Sequence, residues 1–255
     1  DGIVENEPWK AKISINKVDI ETKNIIQNKA EFTVYEWNKE TNLYEKSKVT
    51  MEQQEDKTYL SSNWIYYTQK NEGKFAIVET KAPFGYYGDY KTISQKNIHY
   101  IDLVKWIESE EGENEATISL GNTQLSNLNY EENQFVNSRV KASILAKLID
   151  SQTKENAQGD ATLEGAVYGL YAFEEIYHAD GVTTRYEEPG LLYKKDELVQ
   201  IQTSNKKGEI VWKDIECGKY YIKMIQAPNG YMLDTKKYKV DLDYETEEKS
   251  NISQT

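Results

Sequence analysis

Three polar side chains stand where strand geometry calls for apolar ones. Side chains alternate faces along a β-strand, so every second residue points the same way. Along Phe75-Ala-Ile-Val-Glu79, the residues Phe75, Ile77 and Glu79 share a face, which sets a carboxylate among apolar neighbours. Along Ile13-Ser-Ile-Asn-Lys17, the residues Ile13, Ile15 and Lys17 share a face, which aims an amine at the same interior. Along Phe135-Val-Asn137, the shared face adds a carboxamide. An isolated buried charge is costly, so such groups must pair or neutralise. Taken singly, Lys17 or Glu79 reads as a strand-end residue reaching water. Together, three such residues on three strands read as groups that meet. A plain buried Lys–Glu pair is the alternative, and that pair alone adds little stability.

The elements that would position them recur along the chain. Gly73-Lys-Phe-Ala-Ile-Val-Glu-Thr-Lys-Ala-Pro-Phe-Gly-Tyr86 aligns without gaps to Gly218-Lys-Tyr-Tyr-Ile-Lys-Met-Ile-Gln-Ala-Pro-Asn-Gly-Tyr231, with seven identities. Each copy reads as an alternating strand followed by a Pro-x-Gly turn. Upstream, Ile13–Asp19 precedes Ala30–Tyr35 in one half, and Ile144–Asp150 precedes Ala166–Tyr171 in the other. Two similar series in one order imply two similar domains, expected at 1–138 and 139–255 with almost no linker. The first is longer by an insertion over 87–133. There, Tyr100–Trp106 reads as a strand or a short helix, and Glu108–Glu115 as an acidic loop without the EF-hand spacing. In the second copy Leu148 stands for Lys17 and Met224 for Glu79. Both polar members become apolar together, as two residues sharing one buried site would. Lys147 has outward parity.

Composition narrows the function classes. The 255 residues include 20 tyrosines and four prolines, and threonine, valine and isoleucine are plentiful, which favours strands. A formal charge of −12 opposes nucleic acid and anionic membrane surfaces as partners. Cys217 is the only cysteine, so no internal disulfide forms, and with only His99 and His178 beside it a zinc site is not expected. No cofactor is expected. No apolar run approaches the ~20 residues that span a bilayer. Asp1-Gly-Ile-Val-Glu5 is polar and unlike a signal peptide, which reads as a piece of something longer.

The segments Lys17-Val-Asp19, Ala30-Glu-Phe32 and Glu79-Thr-Lys-Ala-Pro-Phe-Gly-Tyr86 resemble the B-type repeat domains of Gram-positive collagen adhesins and Spa-type pilins. The resemblance covers most of both halves outside the insertion. It implies an all-β fold of two tandem immunoglobulin-like, prealbumin-type β-sandwiches. It also implies an isopeptide bond from a first-strand lysine to a last-strand asparagine, promoted by a glutamate on a central strand. On this chain those are Lys17, Asn137 and Glu79; in the second domain, where Asn251 is the only late candidate for the acceptor, no isopeptide is expected. Burial lowers a lysine pKa and raises a glutamate pKa. A neutral amine then attacks the carboxamide carbon, while the protonated carboxyl polarises the carbonyl and passes a proton to departing ammonia. One turnover per molecule makes this no enzyme.

The implied role is a structural or adhesive stalk module at the cell surface or cell wall, with neighbouring domains of the same surface protein as partners. The competing reading is a module binding host extracellular protein or glycan through Trp37, Trp64, Tyr66, Tyr67, Tyr86 and Tyr87. A glycosidase would need two acids at a defined separation, and nothing in the sequence supplies that pair. Neither a wall-sorting motif nor a pilin-type polymerisation lysine motif is found.

Overall fold

A computed structural model describes residues 8–88, 98–108, 115–120 and 135–254. Residues 109–114 of the acidic run, and most of the insertion around them, lie outside the described residues. Among the described residues, twenty strands and one short helix make the fold all-β. The backbone contacts gather into two compact units: Asp1–Phe84 with Gly88–Ser138, and Gly85–Tyr87 with Arg139–Thr255.

The first unit contains β1 (Lys10–Ile15), β2 (Lys17–Asp19), β3 (Glu31–Asn38), β4 (Leu43–Gln53), β5 (Tyr59–Ser61), β6 (Ile65–Tyr66) and β7 (Lys74–Lys81). After β8 (Tyr86–Tyr87), which groups with the second unit, come β9 (Ile98–Asp102), α1 (Leu103–Glu108), β10 (Glu115–Leu120) and β11 (Phe135–Arg139). Tyr100–Trp106 is therefore part strand and part helix, changing at Leu103. The main sheet runs β10-β1-β5-β4-β3-β7-β9, with β6 also on β1. β4 serves both halves: Leu43 to Thr50 pair with β3, and Met51 to Gln53 pair with β5. The core lies between those halves. Ile13, Ile15, Tyr59 and Ile118 come from one, and Val34, Phe75, Ile77 and Ile101 from the other. The insertion supplies β10, a parallel partner that matches Lys10 with Glu115.

The chain leaves the main sheet after Ile15, and β2 pairs instead with β11, in parallel. Inward parity survives the change, because Ile13, Ile15 and Lys17 are each 0% exposed.

The second unit contains β12 (Lys141–Lys147), β13 (Val167–Ala172), β14 (Ile176–Tyr177), β15 (Leu191–Tyr193), β16 (Leu198–Thr203), β17 (Glu209–Ile215), β18 (Gly218–Gln226), β19 (Lys237–Leu242) and β20 (Asn251–Gln254). They form sheets β17-β12-β20 and β16-β13-β18-β19, with β14-β15 apart. Trp212, Ile144 and Ile252 from the first sheet pack with Leu170, Tyr220, Met224 and Leu242 from the second.

The repeat is visible in local geometry. Asp19 Oδ1 accepts from the N–H groups of Glu21 and Thr22 at 2.7 and 2.9 Å, and Asp150 Oδ1 from Gln152 and Thr153 at 2.7 and 3.0 Å. The two Pro-x-Gly turns place Gly85 and Gly230 at φ +86° and +87°, a region in which glycine alone is unstrained. On β7, Phe32 of β3 lies opposite Glu79, and on β18 Tyr168 of β13 lies opposite Met224.

Candidate functional site

Lys17, Glu79 and Asn137 are all buried, at 0%, 1% and 7% exposure. Lys17 Nζ donates to Glu79 Oε2 at 2.9 Å. β2 holds the lysine through its backbone, whose carbonyl accepts from Ile26 N–H at 2.9 Å. β7 holds the glutamate at the end of the Phe75, Ile77, Glu79 face, and the next two residues, Thr80 and Lys81, emerge into solvent. The β11 register sets Phe135 beside Lys17 and Asn137 beside Asp19. Asn137 is further pinned because its backbone carbonyl accepts from Ile20 N–H at 3.1 Å.

Parallel strands about 4.8 Å apart, with two residues of rise along the chain, separate the Lys17 and Asn137 Cα atoms by about 8 Å. Both side chains leave on the same face. A four-methylene stem and a carboxamide span that gap.

The walls of the site are largely aromatic. Phe32 meets Tyr59 and Phe135 edge-on at 4.9 and 5.1 Å, and His99 lies 4.1 Å from Phe135. Lys17 Nζ stands 5.9 Å from the Phe135 ring centre. Tyr59 is buried, and its hydroxyl oxygen accepts from Ala30 N–H at 2.7 Å. Desolvation in this shell holds the Lys17 pKa below its ordinary 10.5, against the opposing pull of Glu79. Such an amine loses its proton more readily than a surface lysine does. In chemical terms, a desolvated amine touches a carboxyl group with a carboxamide on the same face.

Parity located Lys17, Glu79 and Asn137 because it is a local property. It missed Phe32, Tyr59 and His99, whose approach depends on strand pairings between distant segments. The single available signal was His99 sharing a face with Ile101 in an alternating run.

In the second unit Met224 is buried, Leu148 is half-buried, and Lys147 points to solvent. Asn251 is exposed and sits in register with Lys141, seven positions before Leu148. Its side-chain oxygen accepts from Ser143 Oγ at 3.1 Å.

The six aromatic residues considered for a binding platform differ in exposure. Tyr86 is fully buried, and Tyr87 packs on the core of the second unit. Trp37 meets Tyr44 edge-on, and Trp64 lies under Lys10 and Lys12. Tyr66 and Tyr67 alone among them are exposed.

Residues 153–255 match the sequence profile of the family described as the SpaA prealbumin-like fold domain. That segment is similar to SpaA-type prealbumin-like domains. The matched segment takes in β13 to β20, and its β18 carries the second repeat copy. The trypsin-resistant surface T6 protein of Streptococcus pyogenes serotype M6 is 35% identical over 57 residues, covering 22% of this chain and 11% of that protein. The Bacillus anthracis TIE protein superposes over 96% of this chain and 33% of its own, at 18% identity and a TM-score of 0.54. That likeness is one of fold. The shaft pilin SpaA of Lactobacillus rhamnosus GG aligns over 97% of both chains at 12% identity and a TM-score of 0.31. The chain thus spans about a tenth of the T6 protein and a third of the TIE protein.

Proposed function

We propose that the chain is a structural stalk module of a Gram-positive surface protein or pilus, built from two B-type domains at 1–138 and 139–255. An amide between Lys17 Nζ and Asn137 Cγ locks the first of them. The observation that carries this reading is the buried contact between Lys17 and Glu79, on the face that Asn137 shares.

The reaction needs no external reagent. Neutral Lys17 Nζ attacks Asn137 Cγ, forming the C–N bond, while the protonated Glu79 carboxyl hydrogen-bonds the developing oxyanion. The Glu79 carboxyl gives its proton to the leaving nitrogen while its other oxygen takes one from the new ammonium, so it ends protonated as it began. The Cγ–Nδ2 bond breaks and ammonia departs. The strands hold the partners in contact, which supplies the effective molarity that a bimolecular amidation lacks. Each molecule reacts once.

The bond would tie β2 to β11, the first and last strands around this site, so tension between them loads a covalent link. A chain with a single cysteine gains by this route a cross-link that it cannot make as a disulfide. Its partners are then neighbouring domains of the same extracellular protein. A role in binding host protein or glycan is the second reading, and the burial or partial burial of four of the six aromatic residues weighs against it.

Intact mass in denaturant tests the proposal. A deficit of one ammonia, mapped by digestion to peptides joined through Lys17 and Asn137, is the expected result. Full sequence mass would leave a plain buried ion pair, and a deficit of two would extend the chemistry to the second unit.

A further inference from the structure

In the sheet β16-β13-β18-β19, β16 is an edge strand, and among the described residues β13 is its one strand partner. Its sequence, Leu198-Val-Gln-Ile-Gln-Thr203, has no charge and no proline. The opposite edge, β19, carries Lys237, Lys239 and Asp241, and β17, an edge of the neighbouring sheet, carries Glu209, Lys213 and Asp214. Charges of that kind keep an open edge from pairing with another chain. A bulge at the start of β16 sets Leu198 opposite Tyr171, and Gln200 to Thr203 stay in regular register.

The ladder fixes where the open hydrogen-bonding groups of β16 point. Ser204 N–H donates to the Ala166 carbonyl at 2.9 Å. Such bonds fall on alternate residues of an antiparallel pair, so Gln202 and Gln200 also turn their main chains to β13. Ile201 and Thr203 turn theirs away from it, to the side on which no described strand pairs. The Ile201 side chain is 50% exposed, opposite Gly169.

We infer that β16 pairs antiparallel with β16 of a second copy of this chain, around a two-fold axis at Ile201. Ile201 then faces its own counterpart as a hydrogen-bonded pair, with Cα atoms about 5.5 Å apart, and Gln200 lies opposite the copy's Gln202. The strand is its own complement about that axis, with isoleucine against isoleucine on one face and glutamine against glutamine on the other. A two-fold contact of this kind closes on itself, and the two four-stranded sheets become one continuous sheet. Charge also selects this edge. At a formal −12 two copies repel over much of their surface, and β16 is a neutral place at which they can meet. The pairing gives a stalk module a lateral contact with its neighbour. It is independent of any bond between Lys17 and Asn137.

Sedimentation equilibrium of the full chain, up to about 1 mM, reads the association. A monomer–dimer equilibrium is expected, with amide exchange at Ile201 and Thr203 slowing as the dimer forms. Ile201→Lys sets like charges directly across the pair and should weaken dimerisation by about tenfold or more. Ile201 is exposed, and circular dichroism checks that the variant is folded. Leu145→Lys, at a residue 40% exposed on the central strand β12, should leave dimerisation unchanged. In a Cys217→Ser background, Ile201→Cys should give a disulfide-linked dimer on mild oxidation, because the expected Cα separation suits the bond, and Leu145→Cys should not. A chain that stays monomeric across the range overturns the inference. So does a dimer that Ile201→Lys leaves intact, or one that Leu145→Lys weakens equally.

Discussion

Asn137→Ala removes the acceptor carboxamide and leaves the Lys17–Glu79 contact in place. With the bond present, a loop of about 120 residues is closed, and the chain-entropy relation for cross-links gives about 5 kcal/mol at 25 °C. Unfolding entropy of about 2.1 cal/mol/K per residue, over a unit of roughly 135 residues, converts that to a melting shift of about 15–20 °C. The side chain removed is small and lies at the margin of the aromatic shell, so lost packing adds little. Scanning calorimetry of wild type and variant reads the shift, and intact mass reports the bond independently. The variant should have its full sequence mass and melt lower in the first unit, with the transition of the second unit unmoved. Equal melting temperatures, with wild type also at full mass, would refute the cross-link and the entropy argument together.

Glu79→Gln should slow the loss of ammonia enough to follow by mass over time. The nucleophile is the neutral amine, so the rate rises with pH through the Lys17 pKa, which burial holds below 10.5. Removing Glu79 takes away the group that opposes this depression, so the plateau falls further below 10.5, and a rate still climbing past that value contradicts the reading. In an Asn137→Ala background, Lys17→Leu or Glu79→Met alone should cost about 3–5 kcal/mol, because each takes the partner from a buried ionisable group. The double variant should recover most of that loss in urea titrations, as Leu148 and Met224 suggest. Asp150 should govern part of the acid stability of the second unit. Backbone N–H donation from Thr153, the Tyr231 hydroxyl and Gln152 N–H hold its pKa at about 2, below the ordinary 3.8. A depressed carboxylate contributes stability that is present above 3.8 and lost as pH falls through about 2. Asp150→Asn should therefore flatten the melting-temperature curve across that window, and an unchanged slope would count against the assignment.

The pair Leu148 and Met224 shows what the second unit gives up. A buried ion pair is replaceable by apolar residues of similar size at little cost in stability. What is lost is the buried amine and the carboxyl group beside it. One framework thus holds a polar pair in the first unit and apolar residues at the matching positions of the second.

Much of this was legible in the chain because β-structure has a period of two. Alternation alone turned Lys17, Glu79 and Asn137 inward, turned Lys147 outward, and exposed the joint replacement at Leu148 and Met224. The repeated Ala-Pro-x-Gly-Tyr segments marked equivalent turns, because a positive φ at that position favours glycine. Pairing between strands far apart in sequence has no such local signature. Nothing near Glu115 announces that β10 lies parallel to β1, about a hundred residues away. Nor does parity reveal that Asn251 meets Lys141 and stands apart from Leu148. Burial of Tyr86 and the closure of Phe32, Tyr59 and His99 around Phe135 likewise depend on which strands become neighbours. Sequence by itself determined which side chains face inward, since that follows from backbone geometry one residue at a time. Tertiary structure alone decided which of those inward residues touch, since contact depends on long-range register.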